Sequence, residues 1–196
     1  MESTQRENTQ SNNFSWRDAL EDHKEWLQTD IPFGEYHGFN YKEAGFDLET
    51  QMKQRRDGII IDVGGPTRTF GEAFNVDSSA FKRVFSTNIS KKAYTFSSEN
   101  VDFQADGRKL PLSSDSVDVV FAEGVMRPLA SGFIEEGARV LKQNGLMLIH
   151  SCNEASIKIG ENLGLEVKEI VNVDEKDPGD LFLVVFQKLV DVKPEN

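Results

Sequence analysis

Short apolar runs of strand length recur from residue 58 onward, separated by polar or glycine-rich residues. This pattern predicts seven β-strands, over residues 59–63, 83–87, 101–105, 117–122, 146–150, 167–173 and 181–188. Helical spacing of apolar positions predicts intervening helices over residues 69–74, 133–142 and 154–163. Strands that alternate with helices in this way indicate a doubly wound α/β fold with a mostly parallel sheet.

The last two predicted strands are joined by residues 174–180, which are rich in turn-forming residues and leave no room for a helix. Two strands joined by so short a link pair antiparallel, whereas parallel neighbours need a long crossover connection. We therefore predict a seven-stranded sheet whose C-terminal strand is an antiparallel edge strand.

The N-terminal third has a different composition. Residues 1–12 are rich in Ser, Thr, Asn and Gln, which predicts a disordered tail. Residues 13–57 are predicted to form a helical segment, with one amphipathic helix, a loop over residues 31–40 and a second short helix over residues 41–56. The α/β domain is predicted over residues 58–190, and residues 191–196 are expected to fray.

The net charge of −11 disfavours nucleic acid and anionic lipid surfaces as partners, because both carry negative charge. The single cysteine, Cys152, allows no intrachain disulfide, and the three scattered histidines show no metal-ligand spacing. The N-terminal residues lack a signal-peptide pattern, and no apolar run reaches membrane-spanning length. We therefore expect a cytoplasmic protein without a metal site.

The first strand of the predicted domain ends in Asp62-Val63-Gly64-Gly65. Glycines at a strand-to-helix turn let a ligand approach the backbone closely, and ligands of open α/β sheets bind beyond the carboxyl ends of the strands. Taken alone, the glycine pair is equally compatible with an ordinary tight turn. Polar residues also follow the next three predicted strands, at Asn88, Asp106 and Glu123.

Two longer stretches carry a family resemblance. Residues 105–122 resemble the D-x-x-x-L-P-F-x-D-x-S-F-D-x-V stretch of class I S-adenosylmethionine (SAM)-dependent methyltransferases. Residues 133–149 resemble the E-x-x-R-V-L-K-P-G-G-x-L-x-I stretch of the same family, within its type 11 branch. With the glycine turn, the resemblance spans residues 58–188, roughly two thirds of the chain.

The resemblance implies a Rossmann-like sheet that binds SAM and transfers its methyl group to a small-molecule substrate. It also implies that the cofactor lies along four strand ends. The residues concerned are Asp62, Gly64 and Gly65 at the methionine end, Asn88 and Ile89 beside ribose and adenine, Asp106 and Gly107 at the adenine edge, and Glu123 facing the cofactor.

The sequence departs from the family pattern at three places. Pro66 replaces a glycine and removes an N–H donor from the turn, Asn88 replaces an acid, and Met126-Arg127-Pro128 replaces a stretch with histidine. These departures leave open a catalytically inactive relative that binds a ligand or a protein. A nicotinamide oxidoreductase is compatible with the fold, although Gly-Gly-Pro breaks the three-glycine fingerprint of that class.

No motif identifies the group that would remove a proton from the acceptor. Tyr36 and His37 lie in a loop before the domain, in a segment that often closes over the site in related proteins. His150 lies at the end of the fifth predicted strand. The more ordinary explanations are an exposed polar loop for Tyr36 and His37 and a structurally satisfied histidine for His150, and we favour them over a role at the site.

Overall fold

The computed structural model describes residues 40–64, 80–89, 101–122, 130–152, 154–172 and 182–190. Several predictions fall outside these ranges: the tails, the N-terminal helix and lid loop with Tyr36 and His37, the helix over residues 69–74, and residues Gly65, Pro66, Glu123 and 126–128.

The described residues form eight strands and three helices. The strands are β1 (Asn40–Lys42), β2 (Ile60–Val63), β3 (Val84–Asn88), β4 (Phe103–Gln104), β5 (Val117–Ala122), β6 (Leu141–Cys152), β7 (Leu165–Asn172) and β8 (Phe182–Lys188). The helices are α1 (Leu48–Gln54), α2 (Ala130–Val140) and α3 (Glu154–Asn162). All seven predicted strands are present, together with the three predicted helices that fall within the described ranges, although α1 is shorter than the predicted helix over residues 41–56.

All eight strands join one sheet, in the order β1-β7-β8-β6-β5-β2-β3-β4. The five strands from β6 to β4 in this order run parallel to one another, and β8 is antiparallel to both of its neighbours. The predicted α/β sheet with a parallel portion is therefore confirmed. Because β2, β3, β4 and β5 are parallel, their carboxyl ends meet at one edge of the sheet.

The predicted position of the C-terminal strand was wrong. β8 is antiparallel, as expected, but it lies between β6 and β7 and not at the edge. Val184, Val185 and Phe186 are each no more than 1% exposed, so both faces of this strand are covered. A strand that is apolar on both faces is stabilised by an interior position, because an edge would leave its backbone groups exposed.

The edge next to β7 is instead formed by β1, an eighth strand within residues predicted to be helical. The ion pairs Lys42–Glu169 and Glu43–Lys168 hold it against β7. The helix that follows is short, because Gly45 turns the chain at a φ of +83° and Asp47 then caps α1 at the Glu49 N–H.

The sheet is covered on two faces by different parts of the chain. On one face, Ile61 and Val120 belong to a buried cluster with Phe133 and Ile134 of α2. On the other face, Phe121 belongs to a second cluster that includes residues of α1. Burial on both faces explains why β2 and β5 are mostly apolar at successive positions, rather than alternating between apolar and polar residues.

One partly buried ion pair, between Glu136 and Arg139, joins α2 to the loop that precedes β5. Glu136 is 9% exposed, and its Oε1 accepts a hydrogen bond of 2.6 Å from the Leu110 backbone N–H. Arg139 donates to Glu136 Oε2 at 2.7 Å and to the Leu112 carbonyl at 2.9 Å. Glu136 and Arg139, the E-x-x-R of one stretch, therefore bind the backbone of Leu110 and Leu112 in the other stretch. Both residues thus serve packing.

Glu136→Gln should destabilise the fold by about 1.5–3 kcal/mol, the usual range for hydrogen bonds to a charged group. The hydrogen bond from Arg139 is the main cause that holds the pKa of Glu136 below its usual range. Its contribution should therefore be fully present above the unfolded pKa of about 4.3 and be lost as the pH falls through the lower folded pKa. Urea unfolding of both proteins between neutral and acidic pH measures this.

Glu135→Gln is the matched control, because Glu135 is the exposed neighbour on the same helix. It should change the free energy of unfolding by less than about 0.5 kcal/mol. Equal losses in the two variants would show that Glu136 has no special role.

Candidate functional site

The glycine turn begins directly after β2. Gly64 has a φ of +100°, a left-handed conformation that residues with a Cβ adopt only at a cost. Its N–H donates to the Thr87 carbonyl on β3 at 2.8 Å. Asp62, two residues earlier, is 2% exposed and pairs in register with Phe121 of β5. The turn and its acid therefore lie at the carboxyl end of the central strand.

Asn88 links this turn to the next two strands. Its side-chain Nδ2 donates to the Gly64 carbonyl at 3.0 Å, and its own carbonyl accepts from the Ala105 N–H at 3.0 Å. The adjoining Ile89 is 41% exposed, and its carbonyl accepts from Gln104 Nε2 at 2.7 Å. Asn88 therefore lies beside Gly64, and its amide makes a hydrogen bond within the protein. The predicted place of Asn88 and Ile89 beside ribose and adenine stays a prediction.

Asp106 follows β4 and forms a two-pronged ion pair with Arg108. Arg108 Nη2 lies 2.8 Å from Asp106 Oδ2, and Arg108 also donates from Nε and from its backbone N–H. Burial raises the pKa of Asp106, but the hydrogen bonds from Arg108 outweigh it and hold the pKa below its usual range. With its side chain 32% exposed, Asp106 is an ionised acceptor that solvent can still reach.

Gly107 brings this turn into close contact with β2. A Cβ at position 107 would lie 2.8 Å from Val63 Cγ1 and 3.5 Å from Phe133 Cδ2. Glycine is thus required here by the close approach of two chain segments. The structure therefore gives Gly107 a packing role beside its predicted place at the site.

The sequence interpretation missed three polar groups at this edge. Thr87 is fully buried, and its Oγ1 has no hydrogen-bond partner within the part of the chain that the structure describes. Arg108 and Gln104 hold the Asp106 and Ile89 segments through the bonds given above. The position of Arg108 two residues after an aspartate was a usable signal, whereas the environment of Thr87 depends on neighbouring strands.

Six of the predicted cofactor residues thus meet at one edge of the sheet: Asp62, Gly64, Asn88, Ile89, Asp106 and Gly107. His150 lies at the same end of β6, next to Ile149, which pairs with Ala122 at the end of β5. The remaining predicted site residues, Gly65, Glu123, Tyr36 and His37, lie outside the described ranges.

Neither a membrane-spanning helix nor a metal-binding cluster is found within the described ranges. None of the helices there is both long and apolar enough to cross a membrane. No group of three His, Cys, Asp or Glu side chains in those ranges is arranged to hold a metal ion.

A family described as "Methyltransferase domain" matches residues 61–149, which include the glycine turn, both longer stretches and β6 as far as Ile149. A comparison with curated proteins gives no significant match.

Solved structures show the same fold. A candidate methyltransferase from Bacillus halodurans C-125 is 16% identical, with a TM-score of 0.50 over 74% of this chain and 99% of that one. The trans-methyltransferase CalH in complex with SAH is 14% identical, with a TM-score of 0.51 over 72% of this chain and 54% of that one. At these identities the likeness concerns the fold alone.

Gly107→Ala should destabilise the fold by about 1–3 kcal/mol, the usual cost of overpacking, because the new methyl group would overlap Val63. In a Val63→Ala background the same substitution should cost measurably less, since the overlapping Cγ1 is gone. Thermal unfolding of the four proteins of this double-mutant cycle measures the coupling. Strict additivity would show that the two residues are not in contact.

Proposed function

We propose that this chain, whose residues 61–149 match a family described as "Methyltransferase domain", binds SAM along the carboxyl ends of β2 to β5 and transfers its methyl group to a small molecule. The observation that carries the proposal is the meeting of Gly64, Asn88 and Asp106 at one edge of a parallel sheet. Open α/β sheets bind their ligands at this edge.

The groups at the two ends of the site fit the two ends of SAM. The left-handed Gly64 turn has no side chain, which lets the methionine part approach the backbone, and Asp62 supplies a carboxylate for its amino group. At the other end, the lowered pKa keeps Asp106 ionised near neutral pH, so it accepts and does not donate. The exocyclic amine of adenine is a donor and suits this group.

SAM supplies a methyl group on a sulfonium that already leaves readily, so the protein has to align the acceptor, exclude water and take up any released proton. Our candidates for that proton are His37 and Tyr36, in the segment that precedes β1 and that we propose closes over the site, and His150 at the end of β6. Residues 40–57 of the N-terminal segment are not part of this lid, because they form β1 and α1 against the sheet. A small acceptor suits the net charge of −11, which gives little attraction for a polyanionic substrate.

A specific observation favours a second candidate, a methyltransferase-like domain that binds a ligand or protein without turnover. Two of the groups expected to contact the cofactor, Asn88 and Asp106, make hydrogen bonds within the protein. Binding and turnover therefore have to be measured separately. Release of S-adenosylhomocysteine (SAH) from SAM with a pool of small metabolites would support the enzyme, and binding without release would support the second candidate.

Gly64→Ala should weaken SAM and SAH binding at least tenfold in calorimetry, because a Cβ both strains the turn and fills the approach to the methionine end. Gly164→Ala is the matched control. Gly164 also has a positive φ, +77°, but lies after α3 with open space around it. Both variants should lose stability, and only the first should lose affinity. Wild-type protein that binds neither SAM nor SAH would overturn the proposal, and NADH binding would favour an oxidoreductase.

Asp106→Asn should weaken SAH binding by up to roughly tenfold, because the amide keeps one acceptor oxygen but loses the charge that strengthens a hydrogen bond to a carboxylate. Asp118→Asn is the control, because Asp118 also has a lowered pKa and an ion pair, with Lys142, but lies at the start of β5 near Ile59. Calorimetry should give unchanged affinity for the control. An equal loss in both variants would show that Asp106 acts through general stability.

A further inference from the structure

We infer that Asn88 is a positioning residue that sets the Gly64 turn from the neighbouring strand, rather than a ligand of the cofactor ribose. The inference deepens the proposed function, because it concerns how the SAM site is held in shape. Its structural part concerns the free protein and is tested without any cofactor.

The geometry rests on two hydrogen bonds that hold one residue from both sides. The Gly64 N–H donates to the Thr87 carbonyl at 2.8 Å, and the Gly64 carbonyl accepts from Asn88 Nδ2 at 3.0 Å. Thr87 and Asn88 are adjacent on β3. A glycine has the widest conformational freedom of any residue, so these two hydrogen bonds contribute to holding Gly64 at its φ of +100°.

The segment that follows β4 is bonded to Asn88 as well. The Asn88 carbonyl accepts from the Ala105 N–H at 3.0 Å, which ties β3 to the residue that precedes Asp106. Asn88 therefore connects the proposed methionine end of the site, at Gly64, with the proposed adenine end, at Asp106. Restraining both ends before binding reduces the ordering cost that a ligand would otherwise meet.

The chemistry of the side chain explains why an amide suits this position. An ionised carboxylate has acceptors alone, so aspartate at position 88 would place a negative oxygen near the Gly64 carbonyl with no proton between them. The acid expected at this strand end from the family resemblance is therefore incompatible with the bond observed here. Asn88 therefore has a different role from the acid: it donates a hydrogen bond to the Gly64 carbonyl and does not replace the acid as a weaker ligand of ribose.

The first test measures amide hydrogen exchange at Gly64 in the free protein by NMR. Asn88→Asp and Asn88→Ala should both accelerate this exchange severalfold, because the turn loses one of its two attachments. Gln104→Glu is the matched control, since it makes the same amide-to-acid change at the same edge, where Gln104 donates to the Ile89 carbonyl. It should leave exchange at Gly64 unchanged. Unchanged exchange in both Asn88 variants would overturn the inference.

The second test compares two ligands, SAH and its 2′-deoxy analogue, by calorimetry. Loss of a hydrogen bond that acts through the turn should weaken both ligands by the same factor, about fivefold, in Asn88→Asp and Asn88→Ala. A direct contact to the ribose 2′-hydroxyl would instead make the analogue insensitive to Asn88→Ala, and a contact to either ribose hydroxyl would let Asn88→Asp bind SAH as tightly as the wild type or more so. Either of these two results would overturn the inference.

The two tests also separate this inference from the proposed function. Wild-type protein that fails to bind SAH contradicts the proposed function, and exchange at Gly64 then decides the role of Asn88 alone. Wild-type protein that binds SAH, with Asn88→Asp binding equally well, contradicts the inference and leaves the proposed function standing.

Discussion

The parallel, in-register pairing of β2 with both β3 and β5 is the constraint on which the rest of the molecule depends. Ile60 to Val63 are buried at all four positions, which requires a strand on each side and cover on both faces. Because the three strands run in one direction, their carboxyl ends meet at one edge. The glycine turn, the Asn88 bond and the Asp106 loop are assembled there as a consequence.

The second level of organisation joins the helices and loops to this sheet. Glu136 and Arg139 attach α2 to the backbone around Leu110, shortly after the Asp106–Gly107 turn. Gly107 in turn contacts Val63. The residues of the glycine turn and the two family-like stretches thus have different roles: Glu136 and Arg139 hold α2 against the sheet, whereas we propose that Gly64 and Asp106 contact the ligand.

The local pattern of apolar residues predicted the helices and strands well, but it predicted less well which strands are neighbours in the sheet. The apolar runs of β2 and β5 are unambiguous, since burial on both faces requires them. β1 has no such signal, because Asn40–Lys42 is held by ion pairs to β7, more than a hundred residues away. The interior position of β8 and the hydrogen bond from Asn88 to Gly64 likewise depend on contacts between residues far apart in the sequence. The local sequence pattern does not predict such contacts. Asp106 was predicted at the site, but its pairing with Arg108 was not.

The central claim is that SAM binds at the carboxyl ends of the parallel strands, and amide hydrogen exchange with and without SAH tests it most directly. The account predicts slower exchange with SAH around residues 62–64, 87–89 and 104–107, and no change around residues 55–59 and 117–118 at the opposite ends of the strands. Protection at the opposite ends, or no protection at saturating SAH, would contradict the account.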